Sequence, residues 1–428
     1  MFKGVFSDIV IKKDGFLRGP FGSALKKSIF VPKSDDTYKV YEQSVVLEKN
    51  KELGNYHISK EYFENSLCNF EVKSGDFLVS CSGVNYGEIY ELEGEIEKGV
   101  INQALLRIRI NEKLVDRNFF LYYFRAYIVK AITGGTGDST IPNFPPMSVV
   151  KNVPVELPDL EQQRKIGKIL KQIDKKIENN DLISKRLEKI IETIYQRWFI
   201  EFQFPDKEGK PFKSNGGNLV YNDILKRDIP EGWKVENCYK NRLYSILKPG
   251  LEKFETKNYL ATANVNNSNI FDGEWITYEN RESRANMQPL PNSIWFAKMK
   301  SSIKHITLPK KSEWFNKKYV LSTGFLGIKC KENTLSYMHS YIYSSYFEKH
   351  KDMLAHGATQ QAINNEDLKS IALLVPDDNI LKMYEEITKD LLQMELDIIN
   401  ENQILNSIRD FLMPLLMNGQ INVDNIEV

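Results

Sequence analysis

The stretch that decides the fold is Leu160-Glu-Gln-Gln-Arg-Lys-Ile166-Gly-Lys-Ile169-Leu-Lys-Gln-Ile173-Asp-Lys-Lys-Ile177-Glu-Asn-Asn180-Asp-Leu-Ile183-Ser-Lys-Arg-Leu187-Glu-Lys-Ile190-Ile-Glu-Thr-Ile194-Tyr-Gln-Arg-Trp198. Its apolar residues step by three and four for about nine turns, the spacing of one face of an α-helix. At ~1.5 Å per residue such a helix is roughly 60 Å long, too long to pack inside a small domain. A second stretch of the same length follows Pro376, at an offset of 218 residues from the one after Pro158. At that offset Ile169 matches Ile387, Ile173 matches Leu391, Leu187 matches Leu405, Ile190 matches Ile408 and Ile194 matches Leu412. Ile177 falls on Glu395, so the duplication has diverged. Duplication within one chain predicts pseudo-two-fold symmetry, which suits a two-fold partner such as a DNA duplex or a pair of identical subunits.

The second seam runs Tyr384, Ile387, Leu391, Met394, Ile398, Asn402, Leu405, Ile408, Leu412, and Pro414 is expected to kink or end it. Residues 159–199 carry ten Lys/Arg against seven Asp/Glu, whereas 377–417 carry three against nine. Each seam also contains one asparagine, Asn180 and Asn402, a residue type that lowers stability in an apolar seam but fixes register and partner. These features predict an antiparallel coiled coil that holds two globular domains a set distance apart. The plain alternative is two independent amphipathic helices with solvated charged faces.

Around the helices the chain reads as strand and turn. Phe77-Leu-Val-Ser80 and Ala104-Leu-Leu-Arg-Ile-Arg-Ile110, punctuated by Gly83, Gly87, Gly134, Gly135 and Gly137, fit short strands. Phe119-Phe-Leu-Tyr-Tyr-Phe-Arg-Ala-Tyr127 reads as a helix packed on that sheet. The expected fold is α+β: two mixed α/β domains, in pseudo-two-fold arrangement, over 1–156 and 229–375. Long helices are expected over 157–200 and 376–418, a linker over 201–228 and a tail over 419–428.

Composition narrows the function. With 428 residues and a formal charge of +1, any nucleic-acid surface must be local. Cys68, Cys81, Cys238 and Cys330 form no CxxC pair, and the five histidines have no paired ligand spacing, so no metal site is expected. No segment resembles a signal peptide, and no apolar run approaches the ~18 residues that span a bilayer, which points to a soluble cytoplasmic protein without membrane contact. Gly134-Gly-Thr-Gly-Asp-Ser-Thr140 lacks the lysine of a phosphate-binding loop. Asn143-Phe-Pro-Pro146 has the wrong order for an amino-methyltransferase motif, and Glu385-Glu386 reads as a solvated helical face. No catalytic residues are expected.

Several segments, in order, resemble the specificity subunit of type I restriction–modification systems. They are Gly19-Pro-Phe-Gly-Ser-Ala-Leu-Lys26, Gly75-Asp-Phe-Leu-Val-Ser80 with Gly83, Val100-Ile-Asn-Gln103, Leu157-Pro-Asp-Leu-Glu-Gln-Gln-Arg164 and Arg197-Trp-Phe199. In the second half they are Ile229-Pro-Glu-Gly-Trp233, Gly357-Ala-Thr-Gln-Gln361 and Leu412-Met-Pro-Leu-Leu-Met-Asn-Gly419. The resemblance implies a non-catalytic protein whose two target-recognition domains read the halves of a split, asymmetric sequence in double-stranded DNA. It implies helices that dock two methyltransferase subunits, with motor-nuclease subunits joining for cleavage. S-adenosylmethionine, ATP and magnesium would then belong to the partners, and this chain would hold no cofactor. Half-sites on one face of B-DNA lie about one helical turn, ~34 Å, apart, a separation such helices can set. A structural coiled-coil scaffold and an enzyme of unrecognised type remain the alternatives.

Sequence readout needs loop side chains that enter a groove and basic residues on phosphates. In the first domain the candidates are Ser23, Lys26 and Lys27, then Ser80, Ser82, Asn85 and Tyr86, then Ser139 and Thr140. In the second domain Lys298, Lys300, Ser301, Ser302 and Lys304 form a lysine-rich segment whose plain alternative is a solvated strand edge. Thr359, Gln360 and Gln361 follow a glycine; Gln can bond adenine, and a turn-stabilising role fits equally well. Trp198 and Phe199 are candidates for contact with the methyltransferase subunits, with packing inside the helix pair as the alternative.

Overall fold

The computed structural model describes residues 1–83, 85–133, 144–358 and 360–423. Two long helices, Leu160–Tyr195 and Asp378–Met417, begin at the expected 218-residue offset. Each opens on a Pro-Asp pair whose aspartate caps the first turn. Asp159 Oδ1 accepts from the amides of Glu161 and Gln162 at 3.1 and 3.0 Å, and Asp377 Oδ1 accepts from Asn379 N at 2.9 Å. Such caps satisfy amides that have no partner within the helix.

The chain divides into two units, residues 1–176 with 406–428 and residues 177–405. They repeat one topology. In the first, a four-stranded antiparallel sheet runs Phe16–Arg18, Leu105–Ile108, Phe77–Ser80, Ile89–Glu91. In the second the order is Tyr244–Ile246, Phe325–Cys330, Ser293–Ala297, His305–Leu308. Each unit has another four-stranded sheet containing one parallel pair, Thr37–Tyr41 with Gly99–Ile101 and Lys257–Leu260 with Tyr319–Ser322. Each also has a closing ladder, Phe2–Val5 with Pro154–Leu157 and Lys234–Asn237 with Ala372–Val375.

In the first unit the aromatic segment forms a helix over Arg117–Tyr123, with Phe119 to Tyr123 all buried, as expected of a helix covered on every side. The first long helix lies against it at Gly167, where an added Cβ would come within 2.6 Å of Phe119 N. Ile166 and Leu170 share this unit's core with Leu416 and Met417. Asp174 ties the pieces together, accepting from Tyr122 Oη at 2.7 Å and pairing with Arg409 at 3.0 Å. Burial alone would raise the Asp174 pKa, but Tyr122 and Arg409 hold it below its ordinary value.

In the second unit the other halves of the same helices meet. Asn180 Nδ2 donates to Asn402 Oδ1 at 2.8 Å and to Glu401 Oε2 at 2.7 Å, and Asn402 Nδ2 donates to Asp181 Oδ1 at 2.9 Å. Tyr384 packs on Trp198 and Phe199 with ring centroids 5.7 and 4.9 Å apart. The helices therefore pair antiparallel, start against end, and the two seam asparagines bond each other.

Four expectations need correction. Ile183, Ile190, Ile387, Met394 and Ile408, expected in the apolar seams, are exposed, so the periodic stripe is wider than the face the helices share. The stretch 201–228 is folded rather than a linker: Phe204 stacks between Phe212 and Trp233, and Leu219–Asn222 pairs with Arg227–Pro230. Burial of those rings outweighs the turn-forming Gly and Pro residues around them. Pro414 does not end its helix, which runs on to Met417, because Asn418 N still bonds Pro414 O at 3.1 Å. The opposite net charges of the helices do not pair simply either; in the Asp174–Arg409 contact the acid sits on the basic helix.

Glu395 replaces a seam isoleucine and lines a cavity of about 20 Å³ with Glu188, His305 and Tyr343, barely room for one water. Its Oε1 is buried with no hydrogen bond among the described residues. Burial first, and Glu188 second, push its pKa from 4.5 up to about 8. In the fold the group keeps its proton until about pH 8, whereas the unfolded chain releases it near 4.5, so stability falls as pH rises between those values. Glu395→Gln is expected to stabilise the protein by roughly 1–3 kcal/mol at pH 8, with the gain fading towards pH 4.5 in thermal melts. A gain independent of pH would contradict this assignment.

Candidate nucleic-acid interface

In the first unit three loops converge on the turn Asn102–Ala104. Gly19 N donates to Leu105 O at 2.9 Å, Arg18 Nε reaches Gln103 O at 3.4 Å, and Cys81 N donates to Ala104 O at 2.8 Å. Only glycine fits at position 19, because a Cβ there would lie 1.8 Å from Asn102 O. Ser23, Lys26, Lys27 and Asn85 are exposed on these loops, while Ser82 and Tyr86 are half-buried. Ser80 does not face solvent. It is buried and its hydroxyl accepts from Gln43 Nε2 at 2.6 Å; the same amide donates to Ser82 O, so Ser80 anchors the loop rather than presenting a reading group. Ser139, Thr140 and the glycine-rich run 134–140 lie outside the described residues, as does Thr359.

The second unit brings the lysine-rich segment and the Gln-Gln turn together. Lys300 N donates to Gln361 O at 2.9 Å, and Ile363 N donates to Lys298 O at 3.0 Å. Lys300, Ser301, Gln360 and Gln361 are exposed, and Lys298 and Lys304 are half-buried. Lys304 Nζ donates to Thr262 O at 2.6 Å. Ser302 is buried, so its hydroxyl is not available to a ligand. Ser301 has φ of 54° and its amide donates to Asp352 Oδ1 at 2.9 Å.

Sequence reasoning missed the support beneath this loop. Lys351 is fully buried; its ammonium donates to Ser302 O at 2.9 Å and lies 2.6 Å from Glu348 Oε2. Glu348 also meets His305 Nε2 at 2.9 Å. Although burial raises the Glu348 pKa, His305 and Lys351 together keep it below its ordinary value. A buried lysine directed at a backbone carbonyl has no sequence signature. In the first unit, Gln43 could not be singled out either, since its contacts are 37 and 39 residues away.

Trp198 and Phe199 are both buried in the second unit's core, among Tyr195, Trp233, Tyr337 and Tyr384, so the structure shows the packing role. A hydroxyl–imidazole pair exists, Thr307 Oγ1 to His339 Nδ1 at 2.8 Å, but His339 is buried and its pKa is pushed down to about 3 by burial and then His305. Among the described residues no three His, Cys, Asp or Glu side chains group as metal ligands, and no helix is long and apolar enough to cross a membrane.

Each β-rich unit thus carries exposed polar loops, with Ser23, Lys26, Lys27 and Asn85 in the first and Lys300, Ser301, Gln360 and Gln361 in the second. Residues 22–190 match the family described as type I restriction modification DNA specificity domain. The MjaIX type I restriction enzyme specificity subunit of Methanocaldococcus jannaschii is 26% identical over 350 residues, covering 76% of this chain and 73% of that protein. The HindI specificity subunit of Haemophilus influenzae is 19% identical over 401 residues, covering 82% and 87%. The fold matches the crystal structure of the type I restriction-modification S subunit of M. genitalium with a TM-score of 0.56 at 14% identity, over 97% of this chain and 96% of that one. Family match, relatives and fold thus agree: the chain is similar over most of its length to the specificity subunits of type I restriction–modification systems.

Removing the Lys351 ammonium strands Glu348 in the core. Lys351→Met is expected to cost about 3–5 kcal/mol in urea unfolding, and adding Glu348→Gln to recover much of that loss. A loss within ~1 kcal/mol for the single variant would show that the pair does not hold the loop.

Proposed function

We propose that each unit reads one half of a bipartite, asymmetric target in double-stranded DNA, while the paired helices set the spacing between the halves. The observation that carries this reading is one topology occurring twice with unlike loops. The position just past the central strand that is Cys81 in the first unit is Lys298 in the second, and the segments that follow differ in charge. Equal frames with different side chains suit two half-sites of different sequence, so the target need not be palindromic.

The helices also dock two methyltransferase subunits in this proposal. Exposed apolar side chains support it: Leu182, Ile183 and Ile190 on the first helix, and Ile387, Met394, Ile404, Ile408 and Phe411 on the second, with Phe411 68% exposed. Apolar groups on an otherwise charged helix pair are what a partner subunit covers. S-adenosylmethionine, ATP and magnesium enter with the modification and restriction subunits, and the assembly works in the cytoplasm.

Replacing residues 229–375 with the matching domain of another specificity subunit is expected to change one half-site and leave the other intact, read by methylation-sensitive sequencing of host DNA. Altered recognition of both halves would defeat the modular reading.

A further inference from the structure

We propose that Arg284 and Lys298 form a binding site for one DNA backbone phosphate on the second unit; this rests on the DNA-reading function above. Both residues are bonded through their backbones to the turn Thr323–Gly324. Arg284 O accepts from Thr323 N at 2.8 Å, and Arg284 Nη2 lies 3.8 Å from the point where a Cβ on Gly324 would stand. Lys298 N donates to Gly324 O at 3.0 Å. A third cation approaches the same turn: Lys304 is bonded to Thr262 O, and the Thr262 methyl lies 2.9 Å from that Gly324 point.

Among the described residues neither the Arg284 guanidinium nor the Lys298 ammonium forms an ion pair or a hydrogen bond. The nearby Asp352 is already engaged by the Ser301 amide. Burial lowers the Lys298 pKa, and the Arg284 charge adds in the same direction. Two like charges held at one turn, Arg284 exposed and Lys298 half-buried, repel each other until an anion arrives. A phosphodiester meets this demand, because guanidinium offers it a fork of donors and ammonium a point charge. A guanine edge, the rival ligand for Arg or Lys, is neutral and leaves both charges uncompensated.

The first unit supplies an independent comparison. Its equivalent turn carries the Arg18 guanidinium, 3.4 Å from Gln103 O, delivered from a different strand. The position matching Lys298 is Cys81, with the same backbone bonds to Ala104 and Phe144, and its thiol is buried and pushed up to about 12 by that burial. A guanidinium therefore recurs over the turn in both units, and the second unit adds the lysine.

The test uses the chain assembled with its modification subunits and a randomised pool of DNA duplexes, titrated across salt concentrations, with the bound fraction sequenced. Arg284→Gln and Lys298→Gln are each expected to lower the slope of log affinity against log salt by about 1, and the double variant by about 2, with the selected sequence unchanged. Arg284→Lys is expected to keep the slope, and Lys310→Gln, which removes an exposed lysine paired with Glu332, to leave it unaltered. Thermal melts of Arg284→Gln matching the parent exclude unfolding as the cause. An unchanged slope in Arg284→Gln, or an equal loss in Lys310→Gln, overturns the site. A changed selected sequence at unchanged slope overturns it in favour of base reading. A parent complex that selects no sequence overturns the functional reading itself.

Discussion

One polar contact between the long helices constrains the second unit: Asn180 against Asn402, near the middle of both helices. An apolar seam tolerates sliding by a heptad, because each position offers similar burial. A buried amide does not, since every other register leaves its donors without acceptors in a dry environment. Glu401 and Asp181 reinforce the contact by accepting from the same two asparagines. Within the second unit the same helix pairing brings Tyr384 onto Trp198 and Phe199.

The loops proposed for recognition depend on buried anchors of a different kind in each unit. Gln43 holds the strand end at Ser80 and Ser82 in the first, and Lys351 holds Ser302 in the second. In both, a long polar side chain delivers its hydrogen bond to the backbone just beyond a central strand, so the exposed residues further along can vary without loosening the frame.

Much of the helix architecture was legible in the sequence because a period of three and four, sustained over nine turns, has few alternatives. The asparagine pairing was legible for the same reason: one polar residue in each seam invites a match. Strand topology was not, since strands of three to six residues carry little pattern and the parallel pairs join residues such as Lys39 and Gly99. Composition misled at 201–228, where Phe202 and Phe204 pack on Trp233 and Phe212 stacks on Phe204 despite the glycines and prolines. For Ser80 and Ser302, residue type suggested a reading group, yet burial, which depends on distant chain segments, decided otherwise.

The central claim, that paired helices convert their length into the distance between half-sites, is tested most directly by inserting one heptad into each helix at the level of Asn180 and Asn402. A heptad preserves the seam and adds ~10 Å, about three base pairs of DNA. Methylome sequencing is expected to show the same two half-sites with their gap widened by about that amount. The original gap, retained in a folded and active assembly, would contradict the account.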